Sequence, residues 1–240
     1  MTGAPVPLLP AEAFAPVFEP LRGLRVAYAR MPGNVGDRLI DLAAFGLLRA
    51  FAVDFVIAEP PARPAVDGWV IAGGGNMGDL YAAPRRVREQ VLAQGLPVTV
   101  LPQSFYSPEP LPYARVFVRE RDSLRHCPAG VLAPDLALGL GCRFEGPPDR
   151  GEALWLRRDC EGLFKDRPSA GDPVACCARP LDYLQLAGRH AHVITDRLHF
   201  AIAALLCGRA ATLLPNAYHK NRGMFDTWLR DLGCRWRDAP

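Results

Sequence analysis

Residues 68–79 read GWVIAGGGNMGD, a short apolar run followed by a glycine-rich segment. The apolar run, Gly68–Ala72, shows no strict alternation of polar and apolar residues, which is typical of a strand covered on both faces of a parallel sheet. The glycines predict a loop after this strand, where the backbone can approach a ligand closely. In open parallel sheets, ligands bind beyond the carboxyl ends of the strands, so residues that directly follow strands are the first candidates for a site.

Short apolar runs and helical patterns alternate on both sides of this stretch, which predicts an α/β fold with a parallel sheet. Strands are predicted at Leu24–Ala29, Asp54–Ala58, Gly68–Ala72, Pro97–Leu101, Arg115–Val118, Ala153–Leu156, His192–Thr195 and Ala211–Leu214. Helices are predicted at 39–51, at 84–94 with an exposed surface, and at 181–189, 198–207 and 222–232. One helix face should be buried and carries Leu39, Ile40, Ala43, Leu47 and Phe51. Clustered glycine and proline predict a linker at 141–152, and hence domains at 1–145 and 146–240.

Composition and charge exclude several classes of protein. Of 240 residues, 50% are hydrophobic and 22% charged, which rules out a disordered or fibrous chain. The net charge of +3 is too mild to indicate a nucleic-acid partner. The longest apolar run, Phe200–Cys207, is far below the roughly 18 residues that a membrane span needs. The 7 cysteines are an odd number without metal-ligand spacing, so we expect free thiols, no metal site and a cytoplasmic setting.

A first candidate site lies between the first strand and its helix, in Gly33–Asp37. Gly36 lets the backbone approach a ligand, and the free N–H groups of the helix start, with Asn34 and Asp37, could bind phosphate or a sugar acceptor. The alternative is that Asn34 or Asp37 only caps the helix.

The glycine-rich segment is a second candidate. Gly73, Gly75 and Gly78 satisfy G-x-G-x-x-G, but the next strand ends in Leu101-Pro102-Gln103 without the carboxylate that a dinucleotide site needs. We therefore expect a loop that faces a sugar or phosphate. Its candidate contacts are Gly74, Gly75, Asn76 and Asp79, together with Gln103 after the following strand, which could instead be a satisfied loop amide.

Three cationic segments complete the candidates. Arg119 and Arg121 flank Glu120 at a strand end, where they could bind a carboxylate or phosphate, or form a salt-bridge network. Arg197 and His199 open a helix after another strand; the arginine could hold an anion and the histidine could transfer a proton. Lys220 and Asn221 follow the last long strand, where Lys220 adds another cation, and both are predicted to contact the same anionic ligand. Zinc, P-loop and serine-hydrolase motifs are missing from the sequence.

Together these motifs resemble the polysaccharide pyruvyl transferase family, including its exopolysaccharide members. The matching stretches, in the family's order, are Gly33–Asp37, Gly73–Asp79 (GGGNMGD), Leu101–Ser104, Val118–Ser123 (VRERDS), Ala133–Ala137, Thr195–His199 (TDRLH) and Tyr218–Asn221 (YHKN). They cover the chain from about residue 30 to residue 225.

The resemblance implies two Rossmann-like domains that face a cleft, similar to GT-B glycosyltransferases. It implies transfer of a pyruvyl group from phosphoenolpyruvate to two hydroxyls of a sugar, with a cyclic ketal as product and no cofactor. Arg197 and His199 match the family's R-x-H donor motif, and either Arg119 or Arg121 matches a further donor contact. The acceptor would be a saccharide, lipid-linked in some members, so the protein would work in the cytoplasm, with at most peripheral contact with the inner face of the membrane. The alternatives are a nucleotide-sugar glycosyltransferase and a non-catalytic partner in polysaccharide assembly, in which Arg197 and His199 would be tied into internal salt bridges.

Overall fold

The structure, a computed structural model, describes residues 6–142 and 146–240. This part of the chain separates into two compact units. The N-terminal unit comprises residues 9–33 and 40–139, and the C-terminal unit comprises the described residues up to 8 together with 34–39 and 140–240. The predicted domain boundary adjoins residues 143–145, which lie outside the described residues. The GT-B-like pairing of two domains stays a prediction.

Within residues 6–142, seven strands form the parallel sheet of the N-terminal unit, which confirms the predicted α/β class. The strands are β1 (Arg25–Ala29), β2 (Asp54–Ile57), β3 (Gly68–Ile71), β4 (Gly74–Met77), β5 (Val98–Phe105), β6 (Arg115–Val118) and β7 (Val131–Leu132). Their order is β2-β1-β3-β5-β6-β7, and β4 pairs with β5. The helices are α1 (Ala15–Phe18), α2 (Val35–Ala50) and α3 (Ala82–Leu92), with short 3-10 segments at Ala11–Phe14, Glu19–Leu21, Arg121–Arg125 and Leu136–Gly139.

Helix α2 buries the face that the sequence pattern indicates. Apolar residues at helical spacing are at most 6% exposed, and removing them from water stabilises the fold. The predicted face is confirmed at Leu39, Ile40, Ala43, Leu47 and Phe51. The sequence predicts that α3 is an exposed helix. This prediction is wrong for one side of α3, where Pro84, Arg88 and Val91 are buried.

The sequence predicts that the glycine-rich segment is a loop. This prediction is wrong in part, because the segment contains strand β4. Gly74 pairs with Gln103 and Met77 with Phe105, so β5 also extends past its predicted end at Leu101. Gln103 therefore lies inside a strand whose eight residues are all buried. Glycine permits this close pairing, since a Cβ at Gly73 would lie 3.0 Å from the carbonyl oxygen of Pro102.

Within residues 146–240, four parallel strands in the order β11-β10-β9-β8 form the sheet of the C-terminal unit. The strands are β8 (Arg150–Trp155), β9 (His190–Thr195), β10 (Ala210–Leu213) and β11 (Arg235–Trp236). The helices are α4 (Pro173–Cys176), α5 (Pro180–Gly188), α6 (Leu198–Leu206) and α7 (Lys220–Met224), which continues as a π-helical turn over Phe225–Leu229. Strand β8 begins inside the predicted linker, because Arg150 already pairs with His190 on β9.

A small apolar core of Leu156, Ile194 and Leu214 lies next to the carboxyl ends of β8, β9 and β10. It fixes these three strand ends, and with them the polar residues that follow each strand.

No helix in the described ranges is both long and apolar enough to cross a bilayer.

Candidate functional site

The candidate site of the C-terminal unit is built at the carboxyl ends of its three longer strands. Arg157 follows β8, Arg197 follows β9 as the residue that precedes α6, and Asn221 follows β10. The backbone N–H of Arg197 donates to the hydroxyl of Thr195 at 3.0 Å, which fixes the turn between β9 and α6. Because parallel strands end at one edge of the sheet, residues distant in sequence meet here.

Arg197 is held by two carboxylates. Its Nε and Nη2 donate to Asp172 at 3.0 and 2.6 Å, and its Nη1 lies 2.8 Å from an oxygen of Asp159. The side chain is only 7% exposed. Burial alone would lower the pKa of Arg197, but the hydrogen bonds to Asp172 hold it above its ordinary value. These contacts use three of the five guanidinium N–H groups.

The same pairing continues to a second arginine and a lysine. Arg157 donates to Asp159 and to Glu161, both at 2.7 Å, and Lys220 donates to the same Glu161 oxygen. A continuous row of alternating charge results, which we call the charge row and which consists of Asp172, Arg197, Asp159, Arg157, Glu161 and Lys220. Lys220, predicted as a donor contact, is thus a buried member of an internal ion-pair network.

Asn221, also predicted as a donor contact, joins two strand ends. Its Nδ2 donates to the carbonyl oxygens of Asp196 at 2.8 Å and Leu214 at 2.9 Å, and the side chain is fully buried. Both N–H groups of the amide therefore serve the backbone. Within the described ranges its Oδ1 has no hydrogen-bond partner.

Asp196 is a buried carboxyl with one satisfied oxygen. Its Oδ1 accepts from the backbone N–H of Arg157 at 2.8 Å, whereas its Oδ2 is buried without a hydrogen-bond partner among residues 6–142 and 146–240. Burial raises the pKa of Asp196 from 3.8 to about 6, although Arg157 and Arg197 act in the opposite direction.

His199 occupies the second position of α6 and is half-buried. It packs on the first turn of α2, where a Cβ at Gly36 would lie 3.1 Å from its Cβ and 3.2 Å from its Nδ1. Asn34 Oδ1 accepts from the Gly36 N–H at 2.8 Å, and Asp37 Oδ2 accepts from the Asn34 N–H at 2.7 Å. Both polar side chains thus cap the start of α2, and their predicted ligand contacts stay predictions. The structure also brings Gly36 and His199 together.

Arg119 and Arg121, in the N-terminal unit, have different surroundings. Arg119 is 1% exposed, with Nη1 2.7 Å from Asp135 and Nε 2.8 Å from the hydroxyl of Ser104. It is therefore part of a salt-bridge network, the alternative that the sequence left open. Arg121 is exposed at the start of a 3-10 segment.

Gln103 and Asn76 also make internal hydrogen bonds. Gln103 Nε2 donates to the carbonyl oxygen of Ala72 at 2.6 Å, and its Oε1 accepts from the Asn76 N–H at 3.3 Å. Asn76 Oδ1 in turn accepts from Arg88 at 3.1 Å. The satisfied-amide alternative thus describes Gln103.

Asp79, by contrast, is exposed. It accepts from the hydroxyl of Ser107 at 2.5 Å, and this hydrogen bond lowers the pKa of Asp79. Gly74 and Gly75 lie earlier in the chain, on β4, and Gly74 is buried whereas Gly75 is half-buried.

Sequence reasoning missed all three carboxylates of the charge row, and Arg157 as well. Arg157 and Asp159 directly follow the strand predicted at 153–156, so the strand-end rule could have found them. Asp172 lies 25 positions before its partner Arg197. It caps α4 by accepting from the Val174 N–H at 3.1 Å, and Asp172-Pro173 is a helix-start signal, but that signal does not indicate the contact with Arg197. The buried pair of Arg88 and Glu109 was also missed, with Nε to Oε1 at 2.7 Å.

Comparison with solved structures shows a known fold. A solved structure of a protein of uncharacterised function from Klebsiella pneumoniae subsp. pneumoniae NTUH-K2044 has a TM-score of 0.74 at 21% identity, over 90% of this chain and 93% of that chain. At this identity the likeness shows the fold alone. A periplasmic ribose ABC transporter from Conexibacter woesei DSM 14684 has a TM-score of 0.31 at 9% identity, over 80% of this chain and 73% of that chain, and carries no argument.

No protein with a curated description matches the chain significantly. A sequence model of polysaccharide pyruvyl transferases matches residues 34–218, which is well over half of the 240 residues. The match begins at Asn34, which caps α2, and includes the whole of α6 with His199. The chain therefore belongs to the polysaccharide pyruvyl transferase family.

Proposed function

We propose that this protein transfers a pyruvyl group from phosphoenolpyruvate to two hydroxyls of one saccharide, forming a cyclic ketal and releasing phosphate. The observation that carries the proposal is the family match over residues 34–218. It is supported by the position of His199, on the first turn of α6 and packed on the first turn of α2. The N–H groups of a helix start favour an anionic ligand.

The chemistry needs a proton carrier. A proton adds to the methylene carbon of the donor, which becomes the methyl group, and the adjacent carbon becomes an oxocarbenium-like centre. One hydroxyl oxygen then attacks this carbon and loses its proton. Phosphate leaves with the former C–O electron pair, and the second hydroxyl attacks in the same way. One hydroxyl proton replaces the proton given to the methylene carbon, and the other leaves with phosphate or solvent.

We assign the proton transfer to His199, because an imidazole can donate and accept protons near neutral pH. Arg197 keeps two N–H groups beyond those bonded to Asp172 and Asp159, and we propose that these bind the donor carboxylate or phosphate. The exposed guanidinium of Arg121 remains a second candidate donor contact.

The test combines phosphate release with product analysis. Purified protein is incubated with phosphoenolpyruvate and a panel of aryl and lipid-linked glycosides, and mass spectrometry detects the added ketal. His199→Gln is expected to lower kcat about 10²–10⁴-fold, the usual contribution of a positioned acid or base. His192→Gln is the matched control, since His192 lies on β9, where it contacts Glu152 and Thr212. Near-normal turnover by folded His199→Gln would remove His199 from this role.

One observation favours the non-catalytic alternative, namely that Arg197 is held by internal ion pairs. Thermal unfolding distinguishes the pyruvyl transferase from the two alternative functions, because a ligand that binds only the folded state raises Tm. We expect phosphoenolpyruvate to raise Tm and UDP and GDP to leave it unchanged. A shift with a nucleotide alone would indicate a glycosyltransferase, and no shift with any of them would indicate a non-catalytic partner.

A further inference from the structure

The backbone conformation at Gly36 does not require a glycine. Gly36 is the second residue of α2, and it is not among the glycines with positive φ, so an L-residue could adopt its conformation. Within a helix, alanine is more favourable than glycine, because glycine loses more backbone freedom on folding. The reason for a glycine at this position therefore lies in the atoms that surround it.

That space is occupied by His199. A Cβ at Gly36 would lie 3.1 Å from the Cβ of His199, 3.2 Å from its Nδ1, and 3.1 Å from Asn34 Oδ1. Asn34 cannot readily move away, because its Oδ1 accepts from the Gly36 N–H and its own N–H donates to Asp37. The neighbour that would have to shift is thus the histidine.

We infer that Gly36 is a positioning residue for His199: the absence of a side chain on the first turn of α2 sets the place of the imidazole. The inference rests on the proposed function only for its kinetic part, since the placement of the ring is independent of the substrate. It also gives Gly36 a different task from the ligand contact that the sequence predicted, because the surface of Gly36 is used by His199. A side chain there would press on the Cβ of His199 and on the edge of the ring that carries Nδ1.

The chain offers a matched control on the same helix. Gly46 also lies within α2, and a Cβ there would meet no atom within 4 Å. Gly46→Ala and Gly36→Ala thus make the same chemical change in one helix, and only the second affects the space beside His199.

The first experiment compares kcat and KM for phosphate release from phosphoenolpyruvate, together with the ¹⁵N chemical shifts of the His199 imidazole. We expect Gly36→Ala to lower kcat by up to about 10-fold, since contacts of 3.1 and 3.2 Å displace His199 by less than the roughly 1 Å that can cost about 100-fold. The imidazole shifts should change, and Gly46→Ala should remain within about two-fold of the unmodified protein, since it displaces no catalytic group. Unchanged imidazole shifts and unchanged kcat in Gly36→Ala would overturn the inference. If the unmodified protein releases no phosphate, the proposed function fails while the chemical shifts still decide the position of His199.

A second experiment does not depend on activity. Gly36→Ala is expected to lower Tm, and the loss should be smaller in a His199→Gly background, where both His199 atoms near the new Cβ are gone. The same comparison applies if Gly36→Ala alone fails to fold, because the double variant should then fold. A Tm loss, or a failure to fold, that is the same in both backgrounds would show that the histidine is not what Gly36 accommodates.

Discussion

Replacing Asp196 by asparagine should change how the stability of this protein depends on pH. Asp196 is fully buried; its Oδ1 accepts from the Arg157 N–H, and its Oδ2 is without a hydrogen-bond partner in the described part of the chain. Asparagine keeps an oxygen for that N–H but cannot ionise. The difference between the two proteins therefore isolates the titration of a single carboxyl.

The magnitude follows from the pKa. Burial raises the pKa of Asp196 from 3.8 in the unfolded chain to about 6 in the folded protein. Between these values the folded protein holds the proton more tightly, so the stabilisation is complete below pH 3.8 and is lost as pH rises through about 6. A difference near two pKa units corresponds to about 3 kcal/mol at about 1.4 kcal/mol per unit.

Urea unfolding at a series of pH values from about 3 to 8 measures this contribution. The free energy of unfolding of the unmodified protein, minus that of Asp196→Asn, should fall by about 3 kcal/mol across the series. The exposed Asp149 is the control, because its hydrogen bonds to Arg189 lower its pKa, and Asp149→Asn should give a small dependence of opposite sign. A difference between Asp196→Asn and the unmodified protein that stays constant with pH would refute the assignment of a raised pKa to Asp196.

Two further predictions concern stability in the N-terminal unit. Gly78→Ala should destabilise the protein by about 1–3 kcal/mol or more, measured by urea unfolding, because Gly78 has φ +92° and a Cβ would lie 2.5 Å from the hydroxyl of Ser107; an unchanged unfolding midpoint would contradict this. Asp135→Ala should cost about 3–5 kcal/mol, because it leaves the buried guanidinium of Arg119 without its closest carboxylate. Asp149→Asn, at an exposed pair, should leave the midpoint almost unchanged, and equal effects of the two aspartate variants would show that burial does not govern these pairs.

The sequence predicts the frame of the fold better than its polar contacts. The helical spacing of Leu39, Ala43 and Leu47 identifies the buried face of α2, because burial follows local periodicity. The strand-end rule likewise selects Arg197 and Lys220, which the structure joins in one charge row. A strand-end position, however, is a local property, whereas an ion pair depends on the partner that the fold supplies.

The errors have the same origin. Asp172-Pro173 has the pattern of a helix start, but this pattern does not show that Asp172 accepts from Nε and Nη2 of Arg197. The glycines around Gly74 predict a loop, because glycine is common in turns. In the structure, Gly74 pairs with Gln103 and is part of strand β4. Tertiary hydrogen bonding decides both cases, and a single sequence does not display it.

The charge row has a consequence for how a doubly negative donor would arrive. Its three cationic side chains are matched by three carboxylates within the described residues, so at long range these six groups present no net attraction to an anion. Electrostatic steering of a substrate requires an excess of one sign, and it weakens as salt is added. As far as these six groups determine it, the encounter rate should therefore vary little with ionic strength. Discrimination among anions would then depend on short-range contacts with the row, of which Asp159, at 37% side-chain exposure, is the most accessible carboxylate.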